Sequence, residues 1–254
     1  MIENYINKHT VMGMMSYHYI PFDNFDGFYK NKDRTKVVVF DKNYQNEDCN
    51  EINYYYILDK PEEKIKNMYS SSLLISNFDK DYFSLKGLDN KEMRETRNKW
   101  NKKIVIKDNL DNIDEVLNLI DIWDEVSGKK YRFNRHSGYD RSFFKKYYKD
   151  EKENLISLFF YCENKLVGYS IVSKIMENDN CFRYIIRKSD NSIGRNIGLY
   201  IDFKTFENIF NIYEKEFKVN WGSSSKNVLK YKKTKFPVFL EKKTWFYKKV
   251  QNDK

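Results

Sequence analysis

The sequence predicts a mixed α/β (α+β) fold in which a central mixed sheet is flanked by helices. Three patterns carry this prediction. Apolar residues recur at three- and four-residue steps across 112–126, as on one face of an amphipathic helix. Three strand-like runs follow within 155–189, separated by short spacers rich in Asn, which is typical of an antiparallel meander. The chain then closes with a strand, a basic amphipathic segment and a second β-rich run.

In the first hundred residues, short strands alternate with connections. Runs of β-branched and aromatic residues indicate the strands, and Pro61 suits the first turn of a helix. The elements predicted there are strands at 37–40 and 52–58, a helix at 61–69, strands at 72–76 and 81–85, a charged helix at 90–103 and a strand at 103–109.

The second half has sharper patterns. Asn112 suits the cap of the amphipathic helix, and Gly128 suits its end. A second helix is predicted at 141–149, and the three strands of the meander at 155–163, 165–176 and 181–189. A later helix carries four aromatic residues along one face, namely Phe203, Phe206, Phe210 and Tyr213.

Composition indicates a globular chain with an aromatic core and a basic surface. Of 254 residues, 41% are hydrophobic and 17% aromatic, and the net charge is +9. This charge favours a polyanionic partner such as tRNA or DNA, or another phosphate-bearing substrate. An AT-rich genome, which enriches Lys and Asn, would give the same balance.

Metal and membrane classes receive no support from the sequence. Three cysteines and three histidines are scattered without the spacing of a zinc site, so no metal is expected. No apolar run approaches the ~18 residues of a membrane helix, and the polar N-terminus lacks the apolar stretch of a signal peptide. We therefore expect no membrane association and a cytoplasmic location.

Short motifs in the second half carry a family resemblance. Asn227 precedes Tyr231 by four residues, 231–236 reads Y-x-K-x-x-F, and 163–168 reads E-N-K-L-V-G, a tight turn entering a strand. Together with the order of elements, these motifs resemble the GNAT acyltransferases. The chain is most similar to the Fem-type aminoacyl transferases and related double-lobed lysyl-transfer proteins, because 85–106 resembles the passage that joins their lobes.

The resemblance covers about 70–250 and implies two lobes. A reduced N-terminal GNAT-like lobe is expected at 1–105, and a C-terminal GNAT-like acyltransferase lobe at 106–254. The site should lie where the fourth and fifth strands of the second lobe splay apart.

The same resemblance implies roles for individual residues. Tyr231 would protonate the leaving group, with Asn227 one turn before it. Arg195 and Gly198 match the loop that presents backbone N–H groups to a pyrophosphate, although Tyr200 stands where acetyl-CoA enzymes have a small residue. Lys230 and Lys232 could hold phosphates of the donor or acceptor. The alternatives are an ordinary aromatic residue for Tyr231 and a solvated basic face for the lysines.

Further residues are expected on the substrate side. Arg183 and Trp221 should line the slot between the two splayed strands. Arg135 and His136 lie in a segment that resembles the acceptor-side loop, where His136 could act as a base or be a surface histidine. Arg97 shares one face of the charged helix with other basic residues and could contact phosphates, unless that face is only solvated.

These expectations define a predicted function. The chain would move an aminoacyl or acetyl group from an activated carrier to an amine or hydroxyl acceptor, including one on a nucleic acid. Aminoacyl-tRNA or acyl-CoA would serve as co-substrate, with no tightly bound cofactor. The alternative is a non-catalytic basic module that binds nucleic acid on a degenerate form of the same fold.

Overall fold

The computed structural model describes residues 22–25, 28–31, 36–39, 52–57, 69–87, 90–128, 136–146, 148–175, 180–224 and 226–250. This part of the chain contains eleven strands and seven α-helices. The strands are β1 (Phe22–Phe25), β2 (Phe28–Asn31), β3 (Lys36–Val39), β4 (Ile52–Ile57), β5 (Tyr69–Phe78), β6 (Ile104–Lys107), β7 (Leu155–Cys162), β8 (Lys165–Lys174), β9 (Cys181–Ser189), β10 (Phe217–Ser224) and β11 (Leu240–Val250). The helices are α1 (Lys80–Ser84), α2 (Lys91–Trp100), α3 (Ile113–Trp123), α4 (His136–Lys146), α5 (Tyr148–Glu151), α6 (Ile197–Tyr213) and α7 (Lys226–Lys235).

All the described strands belong to one mixed sheet. Their order is β1-β2-β3-β4-β11-β5-β10-β9-β8-β7-β6. The pairs β3–β4 and β9–β10 are parallel, and the other neighbours are antiparallel. The predicted central mixed sheet flanked by helices is therefore confirmed.

The sheet runs without a break across the predicted lobe boundary. β5, which precedes residue 105, lies between β10 and β11 and pairs with both. β6 contains residue 105 and pairs with β7, which belongs to the second part of the chain. Because these pairings join the two parts of the sequence, the sheet does not mark a boundary at residue 105. The division into two lobes there stays a prediction.

Helices cover both faces of the sheet. Alternate residues of a strand point to opposite faces, and in β7 Phe159 packs with α3 and α4 while Phe160 packs in a separate cluster with α6. The face under α6 continues into an aromatic core around Phe206 and Trp221. The candidate site lies at the edge of this core.

Two predicted elements need comment. The strand predicted at 81–85 is wrong, because residues 81–84 belong to α1 and Leu85 is its C-cap. The side chain of Asp79 accepts a hydrogen bond from the Tyr82 backbone N–H at 2.9 Å and caps this helix. The helix predicted at 61–69 lies outside the described residues, except for Tyr69, which begins β5.

Candidate active site

The site is built where two parallel neighbouring strands separate. Residues 181–183 of β9 pair with residues 218–220 of β10. Beyond Arg183, β9 continues to Ser189 paired with β8, whereas beyond Asn220, β10 continues beside β5. We call the opening between β9 after Arg183 and β10 after Asn220 the strand fork.

Both strands are irregular where they part. In the β8–β9 ladder Val172 faces Tyr184 and Ile171 faces Ile186, so Ile185 is an extra residue, that is, a β-bulge. The β10–β5 register also shifts, between Asn220 and Ser223. A bulge bends its strand and increases the local twist, and bulges are common beside active sites. The two irregularities therefore account for the separation of the strands.

Arg183 occupies the vertex of the fork. Its Nη1 donates to the Asn220 carbonyl oxygen at 3.2 Å and to the Asn220 Oδ1 at 3.4 Å. The guanidinium lies against Gly222, which has φ +69°, and a Cβ built at this glycine would lie 2.2 Å from both Nη atoms. Glycine is required here for its backbone conformation and for this close approach.

Trp221 and Lys232 form one wall of the fork. The indole Nε1 of Trp221 donates to Ser76 Oγ at 2.8 Å, and its ring packs on Phe236 at a centroid distance of 4.8 Å. Lys232 Nζ lies 4.9 Å from the centroid of the Trp221 ring and donates to the Trp221 carbonyl oxygen at 3.3 Å. The amine of α7 is thereby held over β10.

The Tyr184 ring packs on Trp221 at a centroid distance of 5.1 Å and connects this wall to a buried network around Asp202, in α6. Its Oδ1 accepts a hydrogen bond from the Tyr184 hydroxyl at 2.7 Å and lies 3.2 Å from Arg187 Nε. Its Oδ2 accepts from the Tyr231 hydroxyl at 3.3 Å. A carboxylate that is 1% exposed thus connects β9, α6 and α7.

Burial and neighbouring charges shift the pKa values of these groups. Burial raises the pKa of Asp202, and the nearby Arg187 opposes this effect. Burial, followed by the charge of Asp202, raises the pKa values of the Tyr231 and Tyr184 phenols well above their usual range. Burial, followed by the charge of Arg183, lowers the pKa of Lys232 to about 7. Both tyrosines are therefore protonated at neutral pH, while Lys232 can exchange its proton there.

The structure brings four of the predicted site residues to the fork: Arg183, Trp221, Tyr231 and Lys232. It places the others elsewhere. Asn227 and Lys230 are exposed on α7, and Arg97 is half-buried on α2. Arg135 lies outside the described residues, and so does the side chain of His136, whose backbone begins α4.

Arg195 and Gly198 lie at the start of α6, where the resemblance predicts a pyrophosphate loop. A Cβ at Gly198 would lie 2.1 Å from the Nη1 of Arg187, so the buried side of this glycine faces the Asp202 network. Tyr200 is buried and donates a hydrogen bond to Asn101 Oδ1 at 3.0 Å. Its ring therefore serves the packing of α2 on α6.

A cavity of about 250 Å³ separates the start of α6 from α2. Its lining includes two cations and two carboxylates, and the residues are Glu92, Glu95, Thr96, Lys99, Arg195 and Asn196. Lys235 pairs with Glu92 and, through this hydrogen bond, lowers the pKa of that carboxyl. Because the two carboxylates of the lining offset its two cations, these residues fit the pyrophosphate of acyl-CoA poorly.

Three residues of the fork were not among those predicted: Tyr184, Arg187 and Asp202. Asp202 carried a usable signal, since it stands between Ile201 and Phe203 on a helix that is otherwise apolar at its centre. A carboxylate in such a stripe must find partners when it is buried. Arg187 and Tyr184 carried no comparable signal. Both lie in a strand, and the alternation of side chains along a strand does not show which of its two faces packs against a helix.

In the part of the chain that the structure describes, no helix has the length and apolarity needed to cross a bilayer. Within the same residues, no cluster of His, Cys, Asp and Glu side chains could hold a metal ion.

No family model matches the sequence, and no curated protein matches it either. Solved structures do share its fold. One is a conserved protein of unknown function from Bacteroides thetaiotaomicron, with a TM-score of 0.62, 17% identity and 94% of each chain covered. A second is the C-terminal domain of a putative lysylphosphatidylglycerol synthetase from Agrobacterium fabrum, with a TM-score of 0.56, 12% identity, and 99% of this chain and 91% of that one covered.

A third is L-PGS from Bacillus licheniformis, with a TM-score of 0.54, 12% identity, and 92% of this chain and 85% of that one covered. At these identities the likeness concerns the fold. The GNAT-type fold predicted from the sequence is thereby confirmed.

Proposed function

We propose that this chain is an acyltransferase whose reaction takes place in the strand fork. It moves an acyl group, preferably an aminoacyl group, from an activated carrier to an amine or hydroxyl acceptor. One observation carries the proposal: β9 and β10 separate after residues 183 and 220, and the Tyr231 phenol is fixed on Asp202 at this opening.

Tyr231 is suited to protonate the leaving group. Acyl transfer requires a proton for the departing atom, and a positioned side chain can supply it. Burial and Asp202 keep the phenol protonated by raising its pKa. The hydrogen bond to Asp202 at 3.3 Å holds the ring in place, and rotation of the O–H about its bond to the ring turns the same proton from Asp202 to the leaving group.

The raised pKa of Tyr231 favours an ester over a thioester as donor. A thiol has a pKa of about 8.5, already below the value of about 10 for an ordinary phenol. Proton transfer from a buried phenol to a thiolate is therefore strongly uphill, whereas an alkoxide is a much stronger base than a thiolate and a better match for this donor. An aminoacyl ester such as charged tRNA releases an alkoxide, and acyl-CoA releases a thiolate.

Charge supports the same donor. The two carboxylates in the cavity between α2 and the start of α6 offset its two cations and so disfavour a CoA pyrophosphate there. By contrast, α7 exposes Lys226, Lys230 and Lys233 beside the fork, and the net charge of the chain is +9. This surface suits the phosphates of a nucleic-acid carrier. The putative lysylphosphatidylglycerol synthetase of similar fold supports an aminoacyl group and a hydroxyl acceptor.

A transfer assay tests the proposal. Purified protein is incubated with a pool of charged tRNAs carrying radiolabelled amino acids, or with labelled acetyl-CoA, in the presence of amine and hydroxyl acceptors. We expect label to leave the tRNA and to appear in an acceptor, and we expect Tyr231→Phe to slow this transfer. Consumption of acetyl-CoA alone would overturn the choice of donor.

The exposed lysines of α7 also fit the alternative, a basic module that binds nucleic acid without catalysis. Such a module would bind tRNA or DNA with an affinity that falls steeply with salt. Steep salt dependence without transfer from any donor would favour the module over the enzyme.

A further inference from the structure

We propose that the amine of Lys232 is the general base that takes the proton from the attacking group of the acceptor. This inference rests on the proposed function, because it assigns the second proton-transfer group of the same site. Tyr231 supplies the proton that the leaving group takes up. The attacking amine or hydroxyl of the acceptor must also give up a proton, and a second group has to accept it. The sequence offered His136 for this task, whereas the structure places Lys232 at the fork itself.

The position of Lys232 is fixed by two contacts, of which a neutral amine keeps the hydrogen bond. Its Nζ donates to the Trp221 carbonyl oxygen at 3.3 Å and lies over the Trp221 ring. A neutral amine retains two N–H donors for such a bond and has one lone pair to accept a proton. The neighbouring Tyr231 presents its hydroxyl to Asp202, so proton donor and proton acceptor occupy consecutive positions of one helix.

The charge balance of the fork explains why this lysine gives up its proton. Among the described residues, the charges acting on Lys232 are Arg183 and Arg187 of β9 and Asp202 of α6. The phenols at the fork, Tyr184 and Tyr231, are neutral. The two arginines oppose a positive charge on Lys232 in a poorly solvated place, and Asp202 offsets them in part. An arginine cannot lose its proton in a protein, so the lysine is the cation that can become neutral.

Burial, followed by the charge of Arg183, lowers the pKa of Lys232 to about 7. A base is most effective when its pKa lies near the working pH. A large fraction of it is then unprotonated, and it is still basic enough to take the proton from the acceptor. At neutral pH a large share of the Lys232 amines is therefore ready to accept a proton.

The proposed step is balanced in atoms and protons. The acceptor atom, nitrogen or oxygen, forms a bond to the donor carbonyl carbon, and its proton passes to Lys232 Nζ. The bond between that carbon and the leaving oxygen then breaks, and the oxygen takes the proton of the Tyr231 hydroxyl. The Lys232 ammonium finally returns one proton to the Tyr231 phenolate, directly or through water, which restores both groups.

The first test requires no substrate. The folded protein is labelled over a range of pH with trace acetic anhydride, which acetylates an amine only in its neutral form. Mass spectrometry with peptide fragmentation follows Lys232 separately from Lys230 and Lys233. We expect a labelling midpoint near pH 7 for Lys232 in the folded protein. In urea the midpoint should return to about 10.4, the value of an ordinary lysine. A midpoint near 10 in the folded protein overturns the proposal.

The second test is the pH dependence of kcat/KM. In the wild type we expect the rate to rise up to about pH 7 and then to level off. Lys232→Met should lower kcat/KM roughly a hundredfold or more and remove the rise. Lys232→Arg should be equally slow, because arginine keeps the charge but cannot act as a base. Lys152→Met, which changes an exposed lysine paired with Glu153 just before β7 and away from the fork, is the control and should leave the profile unchanged.

The outcomes separate the two proposals. Absence of transfer by the wild type overturns the function, and the base with it. Transfer by the wild type with the same pH profile in Lys232→Met overturns the base alone. High activity of Lys232→Arg would also overturn the base and would instead make Lys232 a cation that stabilises negative charge.

Discussion

The Tyr231 hydroxyl donates a hydrogen bond to Asp202 Oδ2 at 3.3 Å and so joins α7 to α6 across the strand fork. The same carboxylate is 3.2 Å from Arg187 Nε on β9. Asp202 therefore couples the proposed proton donor to the strand along which the substrate would lie. A buried ion pair contributes little when intact, but removal of one partner leaves a charge without compensation.

A double-mutant cycle measures this coupling. Asp202→Asn removes the negative charge and leaves Arg187 partly buried without it, so we expect a loss of about 3–5 kcal/mol in the free energy of unfolding. Arg187→Met alone should also destabilise the protein. The double variant should be more stable than the sum of the two losses predicts. Urea unfolding followed by circular dichroism gives these values, and additive losses would show that the two residues are not coupled.

The Tyr231 hydroxyl should matter for turnover rather than for folding. Tyr231→Phe keeps the ring that packs on Phe236 and removes only the proton donor. We expect kcat to fall about tenfold or more, while the melting temperature falls by only a few degrees because one hydrogen bond to Asp202 is lost. Tyr213→Phe, on the same core but at the far end of α6, is the matched control. Equal rates for wild type and Tyr231→Phe would remove Tyr231 from the mechanism.

Much of this fold could be predicted from the sequence, because periodicity is a local signal. The spacing of Ile113, Val116 and Ile120 predicted α3, and the aromatic face with Phe203 and Phe206 predicted α6. The run at 81–85 was misassigned because α1 is too short to show a helical period, and its cap at Asp79 decides the structure.

The site was predictable only in part. Residues of the closing strand and helix, such as Trp221 and Tyr231, could be placed near the fork by resemblance. Arg187 and Asp202 could not, because their contact depends on how α6 packs on β9. The bulge at Ile185 could not be predicted either, because it depends on the register between β8 and β9 and not on the sequence of β9 alone.

A comparison of Gly222 with Gly87 separates two effects of replacing a glycine, namely backbone strain and collision of the new Cβ with a neighbour. Both have positive φ, +69° and +85°, but a Cβ at Gly222 would collide with Arg183, whereas one at Gly87 would meet nothing within 4 Å. Gly87→Ala should therefore lose only about 1–3 kcal/mol through backbone strain. Gly222→Ala should lose more stability and should also reduce transfer, because Arg183 is displaced from the vertex of the fork.

Urea unfolding and the transfer assay on both variants check this prediction. The useful quantity is the difference between the two glycines, because the strain is common to both. Equal stability losses, with unchanged transfer in Gly222→Ala, would mean that Arg183 moves aside without consequence.

The shifted pKa of Lys232 also predicts how stability depends on pH. Its pKa is about 7 in the folded protein, below the value of an ordinary lysine, which is about 10.4 and applies to the unfolded chain. Between these values the unfolded chain binds more protons than the folded one, so the contribution of Lys232 to stability rises with pH. Below pH 7 both states are protonated, and the penalty of the buried ammonium is fully present.

Lys232→Met removes this titration. We therefore expect the wild type to gain stability relative to Lys232→Met as the pH rises from 7 to 9, by at most about 1.4 kcal/mol per pH unit. Urea unfolding at matched ionic strength measures the difference, and Lys152→Met serves again as the control. A difference that is constant across this range would mean that Lys232 keeps an ordinary pKa, and its amine would then be too highly protonated at neutral pH to serve as the base.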